Sequence, residues 1–323
     1  MTDAADALET DPRSRERSWT LDGTRFSARA LEPGLYIVAT PIGNLADITL
    51  RALAALAAAD AILAEDTRMG HRLADHYGIR TRIRRFDAHA SEAAAAAIIR
   101  DLRAGAALAL ISDAGTPLLS DPGSALVRQA VEAGIRIHPL PGASALLAAL
   151  VTAGLPIDRF FFEGFLPPKQ GDRRRRLREL ARAPGALVFY EAPHRVLEAL
   201  ADIEAILGQR TIAAARELTK LHEAIVRGPA ADVRRHFEEQ APRGEFVLVV
   251  APPDGADDAA DRDPDERLRS LIGAMSVKDA AAVVASELGL PRRDVYARAL
   301  LLQASGDPQP KERQKRDDDE PQR

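Results

Sequence analysis

The sequence predicts an α/β protein: two α/β units, the first with a mostly parallel sheet, and then a small helical piece. Three observations carry this. Between Gly34 and Gly154, short apolar runs alternate with stretches of helical periodicity, the pattern of a parallel sheet with helices on both faces. Several of those runs end in loops of Gly, Pro, Ser, Thr and Asp, and α/β proteins place small-molecule sites at the carboxyl ends of their strands. At 323 residues the chain is long enough for two such units and a smaller third.

Taken in order, residues 1–30 show no periodicity and are rich in Asp, Arg, Ser and Thr, so a disordered extension is expected there. The first α/β unit spans 34–153. Gly34–Thr40 reads as a buried strand, and Asp47 and Thr49 as caps of a helix through Leu50, Leu53 and Leu56. Ala61–Ala64 is a second strand, followed by a helix that stops at Gly78. Arg80–Phe86 is a short extended piece, and Ser91 caps a helix to Leu102. Ala106–Leu110 is a strand that runs into the loop Ser112–Gly123, with a helix from Ala125 to Val131 after it. Ile135–Ile137 is the next strand, leading through Pro139–Ala145 into a helix of Leu and Ala. The second unit spans 155–250, with strands at 160–165, 186–191, 211–217 and 245–250 and helices at 169–182, 196–207 and 232–240. Residues 251–266 read as an acidic linker, 267–304 as a helical domain and 305–323 as a charged, disordered tail.

Composition removes several classes. There is no cysteine, which excludes disulfides and Cys-ligated metals and fits a reducing cytosol. The polar start is not a signal peptide. Apolar runs are broken by charge well before the length of a membrane span. The seven histidines show no metal-ligand spacing. Net charge is −4, yet residues 34–250 hold 27 Lys and Arg against 25 Asp and Glu, so the body is close to neutral and its basic patches matter more than the total.

Three loops, 40–44, 112–117 and 141–145, carry small and turn residues after strands. Neither a P-loop nor a dinucleotide fingerprint is present, so together they read as a composite small-molecule site that is not a phosphate cradle. Glu65-Asp66-Thr67-Arg68 has two readings: a helix cap with a surface ion pair, or a carboxylate and a cation facing the cleft. Asp113 either caps its turn or faces a positively charged ligand. Lys169–Arg178 holds six cations in ten residues. A solvated helix face is the usual fate of such a run. Beside Phe165 and Pro167-Pro168, however, Lys169, Arg173, Arg174 and Arg176 read as a surface for a nucleic-acid backbone. Arg80, Arg82, Arg84 and Arg85 form a second basic cluster.

These loops resemble a known family. Leu35–Leu45, Ala64–Arg68, Ser112–Gly123, Gly164–Pro167, Tyr190–Arg195, Arg216–Lys220 and Arg243–Phe246 are similar, in order, to the motifs of the tetrapyrrole-methylase, or class III, methyltransferases. Among these they look like the bacterial enzymes that methylate a cytidine 2′-oxygen in small-subunit (16S) ribosomal RNA. The resemblance implies S-adenosyl-L-methionine (AdoMet) in the cleft between two α/β domains, a cytoplasmic homodimer, and the small ribosomal subunit or its rRNA as partner. It implies that Thr40, Pro41, Gly43 and Asn44, with Asp113, Ala114, Gly115 and Thr116, hold the amino-acid part and the sulfonium. Ser144 and Ala145 would run along the cofactor, and Tyr190, Glu191, Ala215 and Arg216 would flank the adenine side. Glu65, Asp66 and Glu191 are then candidates for the general base or an orienting carboxylate, and Arg68 and Lys169 for a flanking phosphate. Two alternatives stand beside this reading: a methylase of the same fold acting on a tetrapyrrole precursor, and a non-catalytic RNA-binding assembly factor.

Overall fold

A computed structural model describes residues 17–87, 92–120, 123–253, 264–288 and 290–304. The cap expected at Ser91, residues 121–122 of the central loop, most of the acidic linker, the first sixteen residues and the tail from 305 onward lie outside these. The chain divides into one unit to Pro252 and a second from Pro253.

The first unit contains two five-stranded sheets. The first is built from β3 (Gly34–Val38), β4 (Ala61–Ala64), β5 (Ile83–Arg85), β6 (Ala107–Ile111) and β7 (Ile137–Leu140), with β1 and β2 preceding it in the chain. Its order is β5-β4-β6-β3-β7 and every pairing is parallel. The three central strands are apolar almost throughout, as strands covered on both faces must be. Val38 pairs with both Ile111 and Leu140, and Ile111 also pairs with Ala64. This register brings the residues after all four strands to one edge of the sheet: Ala39, Ser112, Pro141 and Glu65.

Helices α1 (Leu50–Ala58), α2 (Thr67–His76), α3 (Glu92–Arg103), α4 (Ser124–Glu132) and α5 (Ala145–Ala153) follow the strands in turn. Thr49 caps α1 by accepting from the Ala52 amide, and Ser144 caps α5 by accepting from that of Leu147. The last strand of this sheet runs to Leu140 and includes Pro139, which the sequence reading had assigned to a loop. It is tolerated because β7 is an edge strand, where a missing N–H breaks no ladder.

The second sheet comprises β8 (Phe160–Phe165), β9 (Ala186–Glu191), β10 (Thr211–Arg216), β11 (Ala224–Pro229) and β12 (Phe246–Val250), with α6 (Gln170–Leu180), α7 (Val196–Leu207) and α8 (Ala230–Glu239) between them. Its order is β11-β10-β12-β9-β8. Only β8 and β9 are parallel; the other three pairings are antiparallel. Strand β11 was not anticipated, because Gly228 and Pro229 disguise it. One face of this sheet packs on α6, α7 and α8 through Leu177, Phe189, Leu200 and Phe237. The other face receives α5 from the first half through Leu146, Ala149, Leu150 and Ala153. The two halves therefore share a core.

The expectation of disorder before residue 30 is corrected for 18–27. Strands β1 (Ser18–Leu21) and β2 (Thr24–Ser27) form an antiparallel hairpin. Trp19 is buried, stacks on Phe26 at 4.5 Å and joins the core that holds α1. One buried aromatic outweighed the polar composition around it.

In the second unit, α9 (Pro264–Ile272), α10 (Val277–Leu288) and α11 (Arg292–Ala304) pack around Leu268, Ala281, Val284 and Val295. Helix α9 begins inside the stretch expected to be linker, with Asp265 and Glu266 in its first turn, where acids complement the helix dipole. No helix among the described residues is long and apolar enough to cross a membrane.

Candidate active site

The loops at the carboxyl edge of the first sheet are bonded into one floor. Thr40 and Gly115 exchange both backbone hydrogen bonds, at 2.9 and 3.0 Å. The Thr40 hydroxyl donates to the Ser112 carbonyl at 3.1 Å, and the Thr116 hydroxyl donates to that of Ala143 at 3.2 Å. Loops 40–44, 112–116 and 141–144 are thus held together by their own hydrogen bonds. Gly115 needs its freedom here: its φ is +80°, which favours glycine.

Against this floor the second half closes a cleft of about 360 Å³, within the range of small-molecule sites. The first half lines it with Ile42, Asp113–Thr116, Leu119, Ser120, Ser144 and Ala145. The second half contributes Phe165, Tyr190–Pro193, Glu217, Leu218, Lys220 and Glu245–Val247. Of the expected cofactor residues, Asp113, Ala114, Gly115, Thr116, Ser144, Ala145 and Tyr190 meet here, and so does Glu191.

Others have different work. Thr40 is buried with its hydroxyl spent on the Ser112 carbonyl, so it fixes the floor rather than facing the cleft. Asn44 accepts from the Ala46 amide and caps a short 3-10 turn. Pro41 and Gly43 are not among the lining residues; Ile42 is. A Cβ on Gly43 would sit 2.3 Å from the Lys220 side chain, so glycine is required there for the close approach of that stem. Ala215 is buried beneath the cleft.

The carboxylates differ sharply. Glu191 is 2% exposed. Its Oε1 accepts from the Ala192 amide at 2.9 Å and lies 3.4 Å from Arg195, while its Oε2 has no partner. Burial pushes its carboxyl up, against the pull of the Ala192 amide and Arg195. Asp113 accepts from the Asp66 amide at 3.1 Å, which ties the central loop to the start of α2. Glu65 is adjacent. Burial raises its pKa, and so do the charges of Asp113, Asp87 and Asp66. Asp66 is the opposite case: hydrogen bonds from the Arg68 side chain and amide hold its carboxyl down at about 2. It caps α2 and is chelated by Arg68 at 2.6–3.0 Å, so as a proton acceptor near neutral pH it is corrected. The Arg68 side chain is 89% exposed.

A group that the sequence reading gave no role completes the cleft. Lys220 pairs with Glu217 at 2.9 Å and with Glu245 at 3.3 Å. Burial pulls the Lys220 pKa down, but these two partners outweigh it and the net shift is upward. For Glu217 burial pushes up, while Lys220 and the Glu245 amide bring the net shift down. Both stay ionised. Glu217 and Thr219 have φ of 49° and 66°, a strain that marks the loop; the sequence pointed to it only through the resemblance of Arg216–Lys220, with no role for the lysine. The cleft lining thus holds four carboxylates, Asp113, Glu191, Glu217 and Glu245, against the single ammonium of Lys220, with Arg195 3.4 Å from Glu191. That donor set suits a cationic ligand with hydrogen-bond donors, and AdoMet fits it.

The basic helix is not uniformly available. Arg173 is 1% exposed; it donates to Asp202 at 2.7 Å, to Glu198 at 3.2 Å and to the Pro168 carbonyl. Its expected RNA contact is corrected: Arg173 fastens α6 to α7. Arg176 is corrected likewise, since it engages Glu163 at 2.6 and 2.8 Å and Glu179 at 2.8 Å. Arg174 shares Asp202 with Arg173, which also reaches Glu198, so two guanidiniums are matched by two carboxylates, and the Arg174 side chain stays 39% exposed. Lys169 is exposed at the start of α6. In the second cluster, Arg84 pairs with Asp101 and Arg85 with Asp87.

Comparison with known proteins agrees with this architecture. Residues 34–234 match the sequence model of the tetrapyrrole (corrin/porphyrin) methylases, and residues 258–303 match that of the RsmI C-terminal HTH domain. The chain is 48% identical over 282 residues to the ribosomal RNA small subunit methyltransferase I of Mesorhizobium japonicum, covering 86% of this chain and 95% of the relative. It is 45% identical over 272 residues to the protein of the same name from Escherichia coli O157:H7, covering 83% and 95%. Among solved structures it is similar to cobalt precorrin-4 methyltransferase, with a TM-score of 0.52 at 16% identity over 67% of this chain and 94% of that one. It is also similar to a diphthine synthase, with a TM-score of 0.54 at 15% identity over 67% and 89%; these two show the fold. The chain belongs to the tetrapyrrole (corrin/porphyrin) methylases and, within them, to the family of the ribosomal RNA small subunit methyltransferases I.

Proposed function

We propose that the protein transfers a methyl group from AdoMet to the 2′-oxygen of a cytidine in small-subunit (16S) rRNA. The observation that carries the reading is kinship, over nearly their whole length, with proteins named for methylating that RNA. The cleft supports it. When bound, AdoMet supplies an electrophilic methyl group on a positively charged sulfur. Asp113 and Glu191 line the cleft, and their carboxylates favour such a cation. Ser144, Ala145 and Tyr190 flank it.

A ribose 2′-hydroxyl is scarcely ionised at neutral pH, so a positioned base accelerates its attack. Glu65, which stands outside the cleft lining but beside Asp113, which is part of it, takes that role: its carboxyl is shifted upward by burial and by three neighbouring acids. Lys220, kept as an ammonium by two carboxylates, does not. Arg68, Lys169 and Arg174 supply rim cations for the RNA backbone. The second copy of a homodimer would cover Leu147 and Val151, which are 54% and 75% exposed one turn apart on α5. A cytoplasmic location follows from the substrate.

Calorimetry of AdoMet binding tests the cofactor half of the reading. Glu191→Ala is expected to weaken AdoMet by about tenfold or more, the scale of a lost hydrogen bond to a charged group; unchanged affinity would remove Glu191 from the site. For the RNA half, Lys169→Ala should lower the slope of log affinity against log salt by about one, the signature of one lost phosphate contact. An unaltered slope would take Lys169 off the RNA path.

A further inference from the structure

Strand β8 carries an irregularity that changes where an aromatic points. Phe162 is opposite Val188, but Gly164 is opposite Phe189 and Phe165 opposite Tyr190. One residue, Glu163, is therefore extra. Regular alternation would put Phe165 on the face opposite Phe162, because successive side chains alternate. The bulge reverses this, and bulges near active sites commonly re-aim a side chain. Phe162 and Phe165 accordingly both meet Tyr190 edge-on, at 4.9 and 5.7 Å.

The bulge is held from both sides. Gly164 has a φ of +76°, and a Cβ there would stand 2.6 Å from the Ser120 hydroxyl. Ser120 itself has a φ of 67°, so the strained end of the central loop abuts the bulge. The Glu163 carboxylate receives the two-pronged bond from Arg176. The next residue, Leu166, is buried, and its carbonyl accepts from Arg195 at 2.6 Å. Phe165, pinned between these points, lines the cleft yet is 53% exposed. A large aromatic ring fixed in this way serves a flat ligand. The cleft has room for one small molecule held by the floor loops. The half-exposed ring on an edge strand stands at the mouth, separated from exposed Lys169 by Leu166, Pro167 and Pro168.

We infer that Phe165 is a stacking platform for an unstacked base of the RNA strand that enters the cleft, an inference that rests on the rRNA reading above. Single-stranded RNA is recognised largely through bases splayed onto aromatic faces beside backbone cations. The bulge at Glu163-Gly164, braced by Ser120 and Arg176, positions the platform.

Two measurements on wild-type, Phe165→Leu and Phe165→Trp proteins test it. In the first, a single-stranded oligoribonucleotide containing 2-aminopurine reports stacking by quenching. In the second, methyl transfer to purified small subunits is followed alongside AdoMet affinity. The expected result is quenching by wild type and Trp but not by Leu. Phe165→Leu should raise the KM for subunits about tenfold, the scale of one lost base–aromatic stack, with AdoMet affinity unchanged and Trp restoring the KM. Equal quenching and equal KM for wild type and Leu would overturn the platform. Loss of AdoMet affinity in Phe165→Leu would also overturn it, by assigning the ring to the cofactor. Quenching that depends on Phe165, with no methyl transfer by wild type, would keep the platform and sink the rRNA methylation reading instead.

Discussion

Glu65→Gln is expected to lower methyl transfer by about 10²- to 10⁴-fold, the usual contribution of a positioned general base, and to leave AdoMet affinity unchanged. The reasoning is electrostatic. Glu65 lies beside Asp113, Asp66 and Asp87, and with burial they raise its pKa. A base is active when deprotonated, so wild-type activity should fall as pH drops through this raised value. Glutamine should abolish that acid limb. The same shift predicts the sign of the stability effect. A carboxyl raised in the folded state binds its proton more tightly there than in the unfolded chain. Its contribution is favourable at low pH and is lost as pH rises through the window between the ordinary and raised values. At neutral pH the charge is a net cost, so Glu65→Gln should not destabilise the protein. Unchanged turnover, with the acid limb intact, would remove Glu65 as the base.

The largest expected effect on stability comes from Asp202→Ala. Asp202 is fully buried and receives Arg173 at 2.7 Å and Arg174 at 2.6 Å. Arg173, also buried, would keep the Pro168 carbonyl and one carboxylate, Glu198, whose side chain is 67% exposed. Removing one partner of a buried pair leaves an uncompensated charge and costs about 3–5 kcal/mol, which denaturant unfolding would read directly. Replacing both Arg173 and Asp202 by apolar residues of similar volume should recover much of that loss. A cost below about 1 kcal/mol for Asp202→Ala, the value of an exposed pair, would show that Arg173 reaches solvent and would return it to the RNA-facing set.

Much of the fold was readable because parallel strands buried on both faces leave unbroken apolar runs, as at 61–64 and 107–111, and because Thr49 and Ser144 are chemically suited caps. The floor of the cleft was readable for the same reason: once four strands are parallel, their carboxyl-end loops must meet. What escaped depends on partners distant in sequence. Arg173 and Leu177, one helical turn apart, face α7, but nothing local distinguishes Arg173 from Arg174; Asp202, twenty-nine residues on, makes the difference. The Glu217–Lys220–Glu245 group is assembled by adjacent strands of the second sheet and by a backbone with positive φ in non-glycine residues. The bulge that turns Phe165 toward the cleft is a register shift against β9, and register belongs to a pair of strands, not to one. Strand β11 was hidden by its own Gly and Pro, and the β1–β2 hairpin by a polar composition from which only Trp19 and Phe26 stood out.

The measurement that bears most directly on the account is nucleoside analysis of small-subunit rRNA after incubation of purified subunits, and separately of free rRNA, with the protein and methyl-labelled AdoMet. The account predicts label in a single 2′-O-methylcytidine of the 16S rRNA, recovered as an alkali-resistant dinucleotide. AdoMet binding without transfer to either substrate, or transfer to a base carbon or nitrogen, would contradict it.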